Sequence, residues 1–287
     1  MSRKFSNISD IEFRTTEIKP FKIFDSLKEC ITDVSMFFSK EGIKILSLDS
    51  ATSTTLIHLN FRAENFDHFF VEEIIKDGES HPIDLNISIL NLNKVLKSAQ
   101  ANDDSISWIH EKGSDDLIVR FTNSSKKEER EYAIKLQEPD EDEQIGSIDG
   151  IDEYSYLVTM PCTDFQRICR DLKSMNVSTV IIEHDCEQLV FETRSNIVEK
   201  SRISRRGINA EEGNNEESNL IMIKKPTDKT CYRDKFKFES LNNFSKCAAV
   251  GSKTVQICMQ QGMPIILIFK AGTLGEVTFG LAPQESE

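Results

Sequence analysis

The sequence predicts an α+β fold made of two similar halves, each with two short helices set among strands. Three observations predict it. Four short stretches carry apolar residues at helical spacing, with polar and often basic residues opposite them. Between them run segments of alternating apolar and polar residues, the pattern of half-buried strands. The order helix, strands, helix, strands then occurs twice. Phe21 to Thr163, which open the first helix of each half, are 142 residues apart, and Asn91 to Ser240, which open the second, are 149 apart.

Taken in order, residues 1–10 are polar and read as a flexible tail. The stretch 21–31 reads as a helix whose buried side is Ile23, Phe24, Leu27, Cys30 and Ile31 and whose wet side includes Lys22, Asp25 and Lys28. Strands follow at 43–48 and 56–61, with a turn at Asp77-Gly78. A second helix at 91–99 sets Leu92, Val95, Leu96 and Ala99 against Lys94 and Lys97. Strands at 105–109, 117–121 and 131–136 complete the first half, placed at 11–137.

Residues 138–153 carry eight carboxylates and neither Lys nor Arg. Pro139 and two glycines break regular structure there, so the segment reads as an acidic linker. The second half, 154–287, opens with a helix from Thr163. Thr163 and Gln166 form the residue pair of a capping box. Phe165, Ile168, Cys169 and Leu172 make one apolar stripe, and Arg167, Arg170 and Lys173 share the opposite face. Strands at 178–184, 188–193 and 196–203 follow. The polar stretch 205–219 reads as a flexible loop. A fourth helix at 240–248 buries Leu241, Phe244 and Ala248 and shows Lys246. Strands at 254–259, 264–271 and 276–281 close the half.

Composition narrows the function. The chain has 287 residues, 38% hydrophobic and 29% charged, with a formal charge of −13. Such an acidic chain is a poor general binder of phosphate, yet its helices show cations, and a local lining rather than the net sum decides what a surface attracts. Seven scattered cysteines make no C-x-x-C pair and fit reduced thiols in an intracellular protein. The opening Met-Ser-Arg-Lys-Phe lacks the apolar core of a signal peptide, and no run reaches membrane-spanning length, so no membrane partner is expected. The five histidines stand too far apart for metal-ligand spacing. No cysteine has a positioned base, and Gly251-Ser252-Lys253-Thr254 lacks the order of a phosphate loop. The expectation is therefore no catalytic residue, no metal, no cofactor and no enzymatic activity.

The run Phe165-Gln166-Arg167-Ile168-Cys169-Arg170-Asp171-Leu172 closely resembles the opening of the second domain in the sliding-clamp family of proliferating cell nuclear antigen. So do Ser47-Leu48-Asp49-Ser50, 61–67, Glu143-Gln144-Ile145-Gly146 and Leu281-Ala282-Pro283, in the family's order and at about its spacing. The resemblance spans 19–283 and implies a DNA clamp fold: a ring-shaped homotrimer with two like domains per subunit, helices on the inner face, antiparallel sheets outside, and duplex DNA through the middle.

On that resemblance, Lys22, Lys28, Lys94, Lys97, Arg167, Arg170 and Lys246 match the channel-lining cations that would meet double-stranded DNA without regard to sequence, and Lys173, one place before the family's basic position, is included with them. The strands holding Glu131, Tyr132, Ala133 and Ile134, and Ile197, Val198, Lys200 and Arg202, match those that pair between subunits, with Glu128, Glu129 and Glu131 facing Lys200 and Arg202. Leu48, Leu56, Ile145, Gly146, Pro264, Leu281, Ala282 and Pro283 match the groove for partner peptides, and 138–153 the interdomain connecting loop. The chain departs from the family pattern in a connecting loop longer after Gly146, in Ser147 for an apolar residue, and in Gly280 for an aromatic, which enlarges or flattens one wall of the groove. The loop 183–188 also lacks the lysine at which cellular clamps are modified.

The implied function is a DNA sliding clamp, a processivity factor for DNA polymerase and a docking platform for replication and repair proteins. Its partners are duplex DNA, two further copies of itself, a polymerase, a clamp loader and motif-bearing clients. Its place is the nucleus, or a viral replication site if a virus encodes it. The alternative is a clamp-fold interaction module of checkpoint or regulatory type that does not support processive synthesis.

Overall fold

A computed structural model describes residues 9–48, 54–76, 78–138, 151–185, 187–194, 199–209, 220–224, 231–247 and 251–284. The chain forms two compact units. One holds the described residues up to 47, those from 58 to 138, and 272–276; the other holds those of 48–57, 151–271 and 277–284. Each unit thus takes one short segment from the far end of the sequence. In the first, Arg62 N–H donates to the Leu274 carbonyl at 2.9 Å, and in the second Ala282 N–H donates to the Thr54 carbonyl at 2.9 Å.

The N-terminal half runs β1 (Ser9–Thr15), α1 (Ile23–Leu27), β2 (Asp33–Ser39), β3 (Gly42–Leu48), β4 (Thr55–Arg62), β5 (His68–Val71), β6 (Ile74–Lys76), β7 (Glu79–His81), β8 (Ile83–Ser88), α2 (Ile89–Leu96), β9 (Ser105–Glu111), β10 (Asp116–Asn123) and β11 (Glu128–Lys135). Its strands lie in the orders β11-β10-β9-β1-β5 and β4-β3-β2-β8, with β6 and β7 as a separate hairpin turning through Gly78 at φ 83°. The C-terminal half runs β12 (Tyr156–Pro161), α3 (Cys162–Ser174), β13 (Thr179–His184), β14 (Gln188–Thr193), β15 (Ser201–Asn209), β16 (Leu220–Lys224), β17 (Tyr232–Lys237), α4 (Phe238–Lys246), β18 (Thr254–Met259), β19 (Ile265–Ala271) and β20 (Gly275–Leu281). Its strands lie in the orders β20-β19-β18-β12-β16 and β15-β14-β13-β17. Apart from the β6–β7 hairpin of the first half, the described strands of the two halves match in order, and the helices fall at the same places. The internal repeat is real at the level of topology.

The cores combine expected and unexpected elements. Phe13 and Phe38, on strands β1 and β2 that the sequence reading did not place, are buried with Phe21, Phe61 and Trp108 in the first unit, and the Phe13 and Trp108 ring centroids are 5.2 Å apart. Phe165, Ile168, Cys169 and Leu172 all lie at 3% exposure or less, so the stripe of α3 faces inward as expected. Phe244 stacks on Phe279 at 4.4 Å beneath α4. Gly42 makes the tight turn from β2 into β3: its φ is 141°, and a Cβ there would lie 1.9 Å from the Phe61 carbonyl oxygen. Only glycine fits such a site.

Several helix ends differ from the sequence reading, for one shared reason. α2, α3 and α4 begin directly off the preceding strand, at Ile89, Cys162 and Phe238 rather than at Asn91, Thr163 and Ser240. The first N–H of each is taken by a carbonyl of another chain segment: Ile89 by Thr32 at 2.8 Å, Cys162 by Lys253 at 2.9 Å, Phe238 by Ser178 at 3.0 Å. A side-chain cap is not needed to satisfy it. The expected capping box is accordingly absent. Thr163 is the second helical residue, and Gln166 instead donates from Nε2 to the Ser245 carbonyl on α4 at 3.0 Å. The first helix is also shorter than expected. Pro20 opens a 3-10 turn at Lys19–Lys22, α1 ends at Leu27, and 3-10-type bonds tighten the chain to Cys30.

Two more corrections concern strands. Ser9 and Asp10 belong to β1, not to a tail. Of the strand expected at 196–203, residues 196–198 lie outside the described residues; β15 runs Ser201–Asn209, so the first residues of the expected loop 205–219 are strand. Backbone pairing with β14, from Thr193↔Ser201 to Gln188↔Arg206, holds it. Residues 210–219 lie outside the described residues.

Candidate nucleic-acid interface and partner groove

The cations expected to meet DNA sit on the exposed faces of the helices in each unit. In the first, Lys22, Lys94 and Lys97 are exposed while Ile23, Phe24, Leu92 and Leu96 on the same elements are buried. Lys28 is partly covered, because its Nζ lies 2.8 Å from Asp25 Oδ1 one turn before it. Lys97 Nζ reaches the same oxygen, also at 2.8 Å, from the end of α2. Asn93 Nδ2 donates to it as well, at 3.1 Å. The Lys28 and Lys97 ammonium groups hold the Asp25 carboxyl far below the usual carboxylate range, and Asp25 in turn pushes Lys28 upward.

In the second unit Arg167, Arg170, Lys173 and Lys246 are exposed on α3 and α4. Arg167 lies 3.7 Å from both Asp164 and Asp171, at helical spacings of three and four residues. Asp164 also holds Arg205 of β15. Lys246 Nζ donates to Asn243 Oδ1 at 3.0 Å. Lys22, Lys94, Arg170 and Lys173 have no ion-pair partner among the described residues. The sequence reading placed Asp25 on the wet face beside Lys22 and Lys28 but drew no ion pair from it, nor from Asp164 or Asp171. Their helical spacing was visible for Asp25–Lys28 and for Asp164–Arg167–Asp171, whereas the Lys97 and Arg205 contacts join residues far apart in sequence.

The expected subunit strands are placed unevenly. β11 ends its five-stranded sheet and pairs only with β10, from Asp116↔Lys135 to Asn123↔Glu128, so its other edge is open over these residues. Tyr132 packs edge-on against Phe121, Ala133 is exposed, and Ile134 is buried in the core at 4% exposure. β15 pairs with β14 along one edge and with β16 over Gly207–Asn209 on the other. Ile197 and Val198 lie outside the described residues. Four of the five charges expected across the interface are already paired within the chain: Glu131 with Arg120 at 2.7 Å, Glu128 with Arg130 at 3.4 Å, Lys200 with Glu192 at 3.0 Å and Arg202 with Glu183 at 3.4 Å; Glu129 is exposed.

The groove residues fall in the second unit. Leu48 is 36% exposed, Leu56, Pro264, Ala282 and Pro283 are half-buried, and Met263 beside Pro264 is exposed. Tyr154 fixes the Pro264 carbonyl by an O–H bond of 2.8 Å. Leu281 was expected to offer apolar surface; it is fully buried and belongs to the core instead. Gly280 is buried too, and a Cβ on it would lie 3.2 Å from Ile266 Cδ1 and 3.7 Å from Leu56 Cβ. The space beside Gly280 is therefore bordered by Ile266 and Leu56. Ile145, Gly146 and Ser147 lie outside the described residues.

Burial pushes the Cys162 thiol up to about 11 and the Cys169 thiol to about 12, so neither is a nucleophile at neutral pH. Among the described residues no three His, Cys, Asp or Glu side chains gather as a metal site, and no helix is long and apolar enough to cross a membrane.

A duplicated α+β chain, mostly antiparallel, with two helices in each half and cations on their open faces, has the architecture of a two-domain clamp. Comparison with known proteins agrees. The family profile described as "Proliferating cell nuclear antigen, N-terminal domain" matches residues 11–145, and that for the C-terminal domain matches 148–284. A "Probable DNA polymerase sliding clamp 1" of Paramecium bursaria Chlorella virus 1 is 30% identical over 263 residues, covering 91% of this chain and 91% of that protein. The "Proliferating cell nuclear antigen" of Chaetomium thermophilum is 29% identical over 263 residues, covering 92% and 93%. The chain belongs to the proliferating cell nuclear antigen family.

Proposed function

We propose that this protein is a DNA sliding clamp: three copies close a ring around duplex DNA and hold a DNA polymerase and other motif-bearing clients to it. The observation that carries the reading is the pair of basic helical faces, one in each repeated unit, on a chain whose net charge is −13. Cations grouped on otherwise buried helices attract phosphates without reading bases, which suits a protein that must move along any sequence. The acidic remainder of the surface disfavours DNA elsewhere.

The repeat supports ring closure. β20 of the C-terminal half answers to β11 of the N-terminal half, and β4 answers to β15. β4 and β20 each place residues in both units. β11 has an open edge over its described residues. Pairing of β11 with β15 of a neighbouring copy would be a heterologous contact, and one that closes gives a ring. It also covers an exposed edge that otherwise invites aggregation. The charged pairs inside each chain leave backbone pairing and apolar packing as the main attraction. The retained basic faces favour a clamp over an interaction module that does not hold DNA. The chain acts without catalysis or cofactor of its own, opening of the ring falls to a separate ATP-driven loader, and its place is the site of replication, nuclear or viral.

The test joins mass and function. Light scattering gives three subunits, and the protein extends primer synthesis on circular template. Replacing Lys94 and Arg170 by Glu keeps the trimer and abolishes that stimulation. Undiminished stimulation by a trimeric variant refutes the assignment of these faces to DNA.

A further inference from the structure

The anchoring of Lys28 and Lys97 is unlike that of the other cations. Both ammonium groups sit 2.8 Å from one oxygen, Asp25 Oδ1, so they are no more than about 5.6 Å apart, twice that distance. The two lysines come from the ends of different helices, α1 and α2. The third donor to that oxygen, Asn93 Nδ2 at 3.1 Å, belongs to a residue only 5% exposed, which fixes the carboxylate from the buried side. The carboxylate itself is 48% exposed, open to the solvent from which a ligand would come. One anionic oxygen bound by two lysines and an amide is the arrangement a DNA phosphate oxygen would take there.

We propose that Asp25 is a built-in substitute for a DNA phosphate, which gathers Lys28 and Lys97 and competes with DNA for them. The inference rests on the reading of these faces as the DNA path. Two ammonium groups this close repel each other and demand an anion. With Asp25 present that demand is met inside the chain, and a phosphate gains only what it takes from the carboxylate. The local charge of the three groups is +1; without the carboxylate it is +2. Each lysine released to a phosphate displaces about 0.9 of a counterion from duplex DNA, so the salt dependence of binding must steepen when Asp25 is neutralised. Asp25 is thus a positioning residue that keeps the grip low enough for movement: the lysines hand over between carboxylate and phosphate rather than leaving one phosphate for bare water. The acid is tethered, so the competition acts at every salt concentration at which the pair forms.

The experiment uses the full-length protein and a fluorescent duplex oligonucleotide of mixed sequence, with binding followed by anisotropy across a series of salt concentrations. Four proteins are compared: wild type, Asp25→Asn, Lys28→Gln with Lys97→Gln, and the triple variant. Light scattering and thermal unfolding confirm the same assembly and fold in each, and Asp25→Ala serves in place of Asp25→Asn should that variant fail to fold. Asp25→Asn is expected to bind at least threefold more tightly, with a slope of log K against log salt steeper by about 0.9 for each lysine released. In the double-lysine background the same change is expected to do little, which separates competition for these two lysines from the general loss of an acid. Equal or weaker binding by Asp25→Asn overturns the inference, and so does an equal gain with and without the lysines. If instead the double-lysine variant, still assembled, binds as wild type does, these lysines are not on the DNA path and the functional reading of this face fails with it.

Discussion

Gly280 and Ile266 form a pair whose coupling is calculable. Gly280 has no left-handed backbone requirement, so Ala there is conformationally allowed, and the stiffer unfolded chain contributes about 0.4–1 kcal/mol of stability. Against this, the new Cβ would meet Ile266 Cδ1 at 3.2 Å, some tenths of an ångström inside the optimum of about 3.5–4.0 Å for carbon pairs. Ile266 is 3% exposed and packs with Tyr154 and Cys258, so its methyl has little room to retreat. Overpacking of this kind costs about 1–3 kcal/mol, here at the lower end because only one side-chain tip must shift. Gly280→Ala alone should therefore be close to neutral. Ile266→Val removes Cδ1 itself and should cost about 0.5–1.5 kcal/mol. Combined, the added and removed methyl groups occupy nearly the same space. The double variant should be more stable than the sum of the single changes by about 1 kcal/mol, an expectation of volume conservation. Urea unfolding of the four proteins at one fixed subunit concentration measures the cycle, since assembly makes stability depend on concentration. Additivity within about 0.3–0.5 kcal/mol would refute the contact.

Three further predictions test other parts of the chain. His110 donates from Nδ1 to buried Asp10 at 2.6 Å and from Nε2 to the Ser114 carbonyl at 3.0 Å, and the Asp10 carboxylate raises its pKa. The stabilisation is complete below the unfolded value of about 6.5 and is lost as pH rises through the higher folded value; thermal melts from acid to alkaline pH should show that decline, and His110→Gln should lack it at a cost of about 1.5–3 kcal/mol in acid. Leu281→Ala should cost about 2–5 kcal/mol as a core cavity, whereas Leu48→Ala should leave stability within about 0.5 kcal/mol and weaken client-peptide binding in calorimetric titration; unchanged affinity would place the client site elsewhere. Successive N–H groups of a strand alternate edges, so of Tyr132→Pro and Ala133→Pro one removes a donor from the open edge of β11 and should give folded monomers by light scattering, and trimers from both would refute that interface.

Much of this was legible because helical stripes are local. The spacing of Phe165, Ile168, Cys169 and Leu172 sufficed to orient α3, and the cations opposite followed from it. Helix starts were not legible, because Thr32, Lys253 and Ser178 supply the capping carbonyls from elsewhere in the chain. β15 escaped for a different reason. Arg202, Ser204 and Arg206 give it no apolar face, and it is a strand because β14 offers a ladder to it. Leu281 was misassigned although Val277, Phe279 and Leu281 alternate with Thr278 and Gly280 along β20 and so share one face; the resemblance, not this pattern, put it in the groove. The closeness of Gly280 to Ile266 needed coordinates as well, since it is a matter of tenths of an ångström.

The basic faces themselves divide in the same way in both units. In the first, Lys22 and Lys94 stand without an ion-pair partner among the described residues while Asp25 holds Lys28 and Lys97. In the second, Arg170 and Lys173 stand so while Asp164 and Asp171 flank Arg167. On the proposed reading of these faces as the DNA path, the cations without an ion-pair partner among the described residues would supply a field that reaches about 8–10 Å at physiological salt. The partnered ones would add short contacts only where a phosphate displaces a carboxylate. Long-range attraction and short-range hold would then be carried by different residues, and a surface built that way could keep DNA near without fixing its position.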